Sequence, residues 1–179
     1  MSALQRSVLI VTLGFLLLLL RSVVWRAVAL GPFTPQLVLP MAIFLGVSPD
    51  VRLVRGAVIA FLLGYLSDGF CGLPMSVHTF LTMATYLIVR GMGLRVFLRG
   101  PWFQVGLTFV ASAFFGLATT GVRSIFEAEA PFAVDGGSRL LIYSTVATAF
   151  ATALVSPVVF AAMRSIEDTA TGRRESAAT

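Results

Sequence analysis

The sequence predicts an all-α membrane protein, a polytopic bundle of about six transmembrane helices. Of its 179 residues, 58% are hydrophobic and only 12% are charged, and the mean hydropathy is +0.94. Such a chain has too little polar surface to cover a water-soluble globule. Because a spanning helix needs roughly 20 mostly apolar residues, we expect one transmembrane domain with short connections and no separate soluble domain.

Apolar runs divide the chain into six segments. The predicted spans cover approximately residues 4–24, 37–47, 57–70, 75–89, 102–122 and 140–163. Pro35 is placed to begin the second helix, which is short and is interrupted by Pro40. The runs are continuous rather than alternating, which favours helices over a transmembrane barrel. We therefore predict a bundle over residues 1–165, followed by a disordered cytoplasmic tail over residues 166–179.

Arginine supplies all of the positive charge. The chain has 13 arginines, no lysine and a formal net charge of +5. The arginines lie between or at the ends of apolar runs, where they set the orientation and contact the lipid bilayer, so we predict no nucleic-acid partner. With six spans and a cytoplasmic N-terminus, nine arginines lie inside and four outside, which predicts that both termini are cytoplasmic. Five of the nine flank the central segments: Arg52, Arg55, Arg90, Arg95 and Arg99.

One acidic residue, Asp68, lies within a predicted span. A carboxylate at membrane depth is costly and usually faces the bundle interior, water or a partner. Gly56, Ala60 and Gly64 precede Asp68 at intervals of four residues, so all four side chains share one helix face. Three small residues on that face allow a neighbouring helix to approach closely. We predict that the face packs inside the fold or receives a partner's helix, and that Asp68 bonds nearby backbone.

A second stripe of polar residues follows on the fourth segment. His78, Thr82 and Tyr86 recur every four residues and are continued by Arg90. This spacing is typical of side chains that form hydrogen bonds between helices. The alternatives are a solute site or a proton relay, and an ion or proton pathway through Asp68 and His78 would be a third class of function.

Catalytic and metal-binding patterns are missing from the sequence. One histidine and one cysteine, Cys71, cannot form a metal site without several carboxylates. Ser76 and His78 are two residues apart and point to different faces of a helix, which does not suit an intramembrane serine protease. No phosphate-binding loop of the P-loop or dinucleotide type is present. We predict a non-enzymatic protein without a cofactor.

A third stripe lies on the sixth segment and consists of Ser144, Thr148, Thr152 and Ser156. We interpret it as packing, because hydroxyl groups in membrane helices also bond the carbonyls of their own backbone. The first and fifth segments are predicted to face mostly lipid.

Three stretches of sequence resemble a known family. They are residues 35–39 (PQLVL), 55–68 (RGAVIAFLLGYLSD) and 72–78 (GLPMSVH), the last beginning at Gly72. In this order they resemble the proline-led second helix, the glycine-phenylalanine-glycine-aspartate helix and the turn into the fourth helix of MreD, the rod shape-determining membrane protein family of bacteria. A length below about 200 residues with six spans also fits that family.

The resemblance implies a non-enzymatic scaffold of the inner membrane that binds MreC. Through MreC it would be linked to the actin-like MreB and to RodA and its transpeptidase, which build peptidoglycan. The family is similar in fold to the S components of energy-coupling-factor vitamin transporters, and a substrate-binding S component is the alternative function. That class is expected to have an alanine-x-x-x-alanine patch on its first helix, which residues 4–24 lack.

Overall fold

The computed structural model describes residues 3–28, 34–48, 51–71, 76–92, 101–126 and 137–175. Within these ranges the protein consists of helices and contains no strand. The six helices are α1 (Ala3–Val28), α2 (Val38–Val47), α3 (Leu53–Cys71), α4 (Val77–Gly91), α5 (Pro101–Phe126) and α6 (Gly137–Glu175). The prediction of an all-α fold is confirmed for this part of the chain.

Four of these helices are long and apolar enough to cross a membrane. The qualifying segments are Leu4–Val23, Leu53–Phe70, Trp102–Val122 and Leu141–Glu167. The other two helices are shorter, with 10 residues in α2 and 15 in α4. At 1.5 Å per residue they extend about 15 and 22 Å, compared with roughly 30 Å for the hydrocarbon core of a bilayer. The described part of the chain therefore has six helices, of which four are long and apolar enough to be full-length spans.

The short helix α2 forms the centre of the bundle. Every residue from Val38 to Val47 is buried, and α2 contacts each of the other five helices. A helix that is apolar on all sides requires such complete enclosure when it is not surrounded by lipid. Pro40 lies in its first turn, where a backbone N–H has no partner within the helix, so the proline removes no helical hydrogen bond.

Polar contacts join the helices at one end of the bundle, here called the Arg6 end. It contains Arg6, Ser48, Leu53, Arg90 and Glu167. Arg6 forms an ion pair with Glu167 at 2.6 Å, and the Ser48 hydroxyl donates to the same carboxylate at 3.2 Å. These contacts join the start of α1, the end of α2 and the last third of α6. The opposite end, with Asp68 and the first turn of α4, is called the Asp68 end.

Helix α6 extends beyond the predicted bundle. It continues to Glu175, so the prediction of a disordered tail from residue 166 is wrong for residues 166–175, while residues 176–179 lie outside the described ranges. The start of this extension is held by tertiary contacts, since Glu167 is bonded to Arg6 and Ser48.

A proline in the middle of α6 is compensated locally. Pro157 lacks the N–H that would bond the carbonyl of Ala153, four residues earlier. The Ser156 hydroxyl donates to this carbonyl at 2.7 Å. Hydroxyl side chains restore backbone hydrogen bonds lost at prolines in membrane helices in this way.

Candidate functional site

The buried carboxylate of Asp68 accepts four hydrogen bonds from the start of α4. Its Oδ1 accepts the backbone N–H of His78 at 2.8 Å. Its Oδ2 accepts the backbone N–H groups of Ser76 and Thr79 at 3.1 and 3.0 Å, and the Thr79 hydroxyl at 2.5 Å. Asp68 therefore bonds nearby backbone, as its position near the end of the span suggested, and joins α3 to α4.

The first turn of α4 needs this carboxylate because it has no cap of its own. Ser76 occupies the N-cap position with φ 85°, in the left-handed region, and its side chain makes no capping hydrogen bond. The N–H groups of a first helical turn have no partner within the helix and carry partial positive charge. Asp68 supplies both the acceptors and the negative charge from the neighbouring helix.

The small-residue face of α3 packs against α4 of the same chain. A Cβ atom added to Gly64 would lie 2.6 Å from the Cα of Thr79. A Cβ added to Gly56 would lie 2.7 Å from Cζ of Tyr86. Ala60, between the two glycines, is fully buried. Of the two predicted roles for this face, the structure shows internal packing.

The stripe on α4 is buried against the rest of the bundle. Tyr86 is fully buried, and its hydroxyl donates to the carbonyl of Leu53 at 2.9 Å. Thr82 and His78 are also buried. The α3–α4 hairpin is thus bonded at both ends, by Tyr86 at the Arg6 end and by Asp68 at the Asp68 end.

A small cavity with a mixed polar and apolar lining lies beside His78. Its volume is about 10 Å³, and its polar lining residues include Arg21, Gln36, Ser67 and Thr82. The imidazole Nδ1 of His78 lies 3.5 Å from Asp68 Oδ1, and its ring packs 5.4 Å from that of Phe115. A space of this size is close to the minimum for a single water molecule.

The stripe on α6 has the predicted packing role, with one addition. The Thr152 hydroxyl donates to the Thr148 carbonyl at 2.7 Å, and the Ser144 hydroxyl donates to the Leu141 carbonyl at 2.9 Å. Thr152 also accepts the backbone N–H of Gln36 at 2.9 Å. This bond fixes the chain just before α2.

A buried polar stripe on α5 was missed by the sequence analysis. Gln104, Thr108 and Ser112 are at most 4% exposed, although α5 was predicted to face mostly lipid. Elsewhere on α5, Trp102 and Val110 are largely exposed, whereas Phe115 is buried. The signal was present in the sequence, because the three polar residues recur every four positions within an otherwise apolar run.

The predicted orientation arginines have different environments. Arg90 is half-buried and donates to the carbonyls of Ser48 and Val51 at 2.8 and 2.9 Å. Arg55 is half-buried and Arg52 is exposed. Three predicted residues, Gly72, Arg95 and Arg99, lie outside the described ranges.

Replacing Arg90 with leucine is expected to destabilise the protein by about 2–4 kcal/mol, because two hydrogen bonds from a charged group to the α2–α3 connection are lost. Thermal unfolding in detergent measures the effect. Arg52→Leu is the matched control and should change stability by less than about 0.5 kcal/mol, since its side chain is exposed. Equal losses for both variants would contradict a structural role for Arg90.

Metal-binding side chains are not clustered in the described ranges. There, no three histidine, cysteine or acidic side chains are grouped in a way that would hold a metal ion.

No protein-family model matches the chain, and neither a curated protein nor a solved structure matches it significantly. The resemblance to the MreD family stays a prediction that rests on residues 35–39, 55–68 and 72–78.

Proposed function

We propose that the protein is a non-enzymatic scaffold of the bacterial cell-elongation machinery, of the MreD type. It lies in the inner membrane with six membrane segments and both termini in the cytoplasm. It binds an MreC-like protein and, through it, supports the work of MreB, RodA and its transpeptidase in peptidoglycan synthesis and rod shape.

The bonded α3–α4 hairpin is the main support for this proposal. The two longer stretches of family resemblance meet in the hydrogen bonds that Asp68 accepts from the backbone of Ser76 and His78. Gly64 and Gly56, from the same stretch, provide the close approach of the two helices. Because these residues are engaged in holding the hairpin together, they favour a rigid scaffold over a site that receives and releases a solute.

The size of the cavity beside His78 argues against a vitamin site at that position. Sites for small molecules usually have volumes of about 300–1,000 Å³. The cavity beside His78 has a volume of about 10 Å³. A vitamin bound at this position would therefore require a large rearrangement of α2, α4 and α5 around His78 and Phe115.

Affinity purification in mild detergent tests the proposal against the alternative of a vitamin-binding S component. The tagged protein, expressed in a rod-shaped bacterium together with the MreC-like protein of the same genome, is expected to retain that protein. An unrelated multi-pass membrane protein with the same tag is the control for background. Co-purification of a transporter ATPase, with a stoichiometric small molecule in native mass spectrometry, would instead establish the S component.

A further inference from the structure

An open apolar groove lies between α1 and α3 at the Arg6 end. Its volume is about 510 Å³. Residues 4–11 of α1 and residues 55–62 of α3 supply its walls, and all of the lining side chains except Ser7 and Arg55 are apolar. Val8 and Val58, on opposite walls, are more than half exposed. Ile59 is buried and contributes to the inner wall of the groove.

The groove has the shape of a wedge. The two helices meet at Gly14, where an added Cβ would collide with the side chain of Leu63. Further toward the Asp68 end, the rings of Phe15 and Phe70 are in contact with centroids 6.0 Å apart. The helices separate from this point toward the Arg6 end. From Arg55 to Leu62, its last lining residue on α3, the groove is about 10 Å long, since seven residues rise 1.5 Å each.

The mouth of the groove is cationic. Arg55 lines it and is half-buried, and the structure gives its guanidinium no hydrogen bond or ion pair with any described residue. Arg52, three residues earlier, is exposed and does not line the groove. The carboxylate of Glu167, also at the Arg6 end, is bonded to Arg6 and Ser48. A positive group thus lies at the entrance of an apolar wedge.

We propose that this groove binds one membrane phospholipid with an anionic headgroup. An acyl chain lies between Val8 and Val58, and the phosphate contacts Arg55. Basic pockets between membrane helices on one side of the bilayer bind anionic headgroups in this way. A partner's transmembrane helix fits less well, because a helix is a cylinder about 10 Å wide along its whole length, whereas this groove closes at Gly14.

Native mass spectrometry of the full chain in detergent tests this site. The purified protein is titrated with phosphatidylglycerol and with phosphatidylcholine of identical acyl chains. The wild-type protein is expected to retain one phosphatidylglycerol in preference to phosphatidylcholine. Arg55→Gln should weaken phosphatidylglycerol binding by about fivefold and leave phosphatidylcholine unchanged. Val58→Trp, which fills the groove, should weaken both lipids.

Two matched variants separate the groove from the surrounding surface. Arg52→Gln removes the same charge outside the groove, and Val54→Trp adds the same bulk at an exposed position of α3 that does not line it. Both are expected to bind lipid as the wild type does. Equal loss of phosphatidylglycerol binding in Arg52→Gln and Arg55→Gln would overturn the proposal. A wild-type dimer that Val58→Trp dissociates, or a bound partner protein that Val58→Trp releases, would overturn it as well. Thermal unfolding shows whether each variant is folded. If Arg55→Gln does not fold, Val58→Trp alone tests the site.

Discussion

Asp68→Ala is expected to lower the free energy of unfolding by about 3–5 kcal/mol, the range for removal of one partner from a buried charged contact. The substitution leaves the backbone N–H groups of Ser76, His78 and Thr79 without acceptors at the start of α4. It also removes the negative charge that complements the helix N-terminus. Thermal or denaturant-induced unfolding in detergent measures the loss.

Asp68→Asn separates charge from hydrogen bonding. The amide retains one acceptor oxygen, so we expect an intermediate loss of about 1–3 kcal/mol. Ser67→Ala, at the adjacent buried position, is the control and should have little effect. If Asp68→Asn left stability unchanged but abolished proton or ion conductance in liposomes, the carboxylate would serve transport and the structural interpretation would be wrong.

Gly64→Ala is expected to destabilise the protein by about 1–3 kcal/mol, the usual cost of overpacking, and Gly64→Leu by more. The added Cβ would lie 2.6 Å from the Cα of Thr79 and 3.1 Å from the His78 carbonyl oxygen. Both neighbours are backbone atoms, so α4 itself would have to move. The hydrogen bonds of Asp68 to the same turn would be distorted together with the packing.

Gly69, on the same helix, provides a control at which substitution with alanine is expected to have the opposite effect on stability. A Cβ added there meets nothing within 4 Å, and alanine has a higher helix propensity than glycine by up to about 1 kcal/mol. Gly69→Ala should therefore be neutral or stabilising in the same unfolding assay. Equal destabilisation by Gly64→Ala and Gly69→Ala would mean that close packing of α3 on α4 does not determine the stability of the hairpin.

The contacts of the α3 face were partly predictable from the sequence. The intervals of four residues from Gly56 to Asp68 identify a contact face, because small residues and a carboxylate are both unfavourable choices for a lipid-facing surface. The neighbour of that face was not predictable. An internal helix and a partner's helix have the same chemistry in a bilayer, and only the structure shows Thr79 and Tyr86 opposite the glycines.

The position of α2 and the roles of two charged residues depend on tertiary contacts. An apolar run such as residues 38–47 has no polar face that would distinguish enclosure by protein from enclosure by lipid. Arg90 is predicted to set the orientation, and the structure adds that its guanidinium bonds carbonyls 39 and 42 positions away in sequence. Glu167 lies in the predicted tail, and its contact with Arg6 could not be predicted because the two residues are 161 positions apart in sequence.

The buried position of α2 has a consequence for biosynthesis. A helix of 10 residues is too short to be stably inserted on its own, since a span needs roughly 20. The Gln36 N–H just before it is bonded to Thr152, which is translated more than a hundred residues later. The final contacts of α2 can therefore form only after α6, the last described helix, has been synthesised.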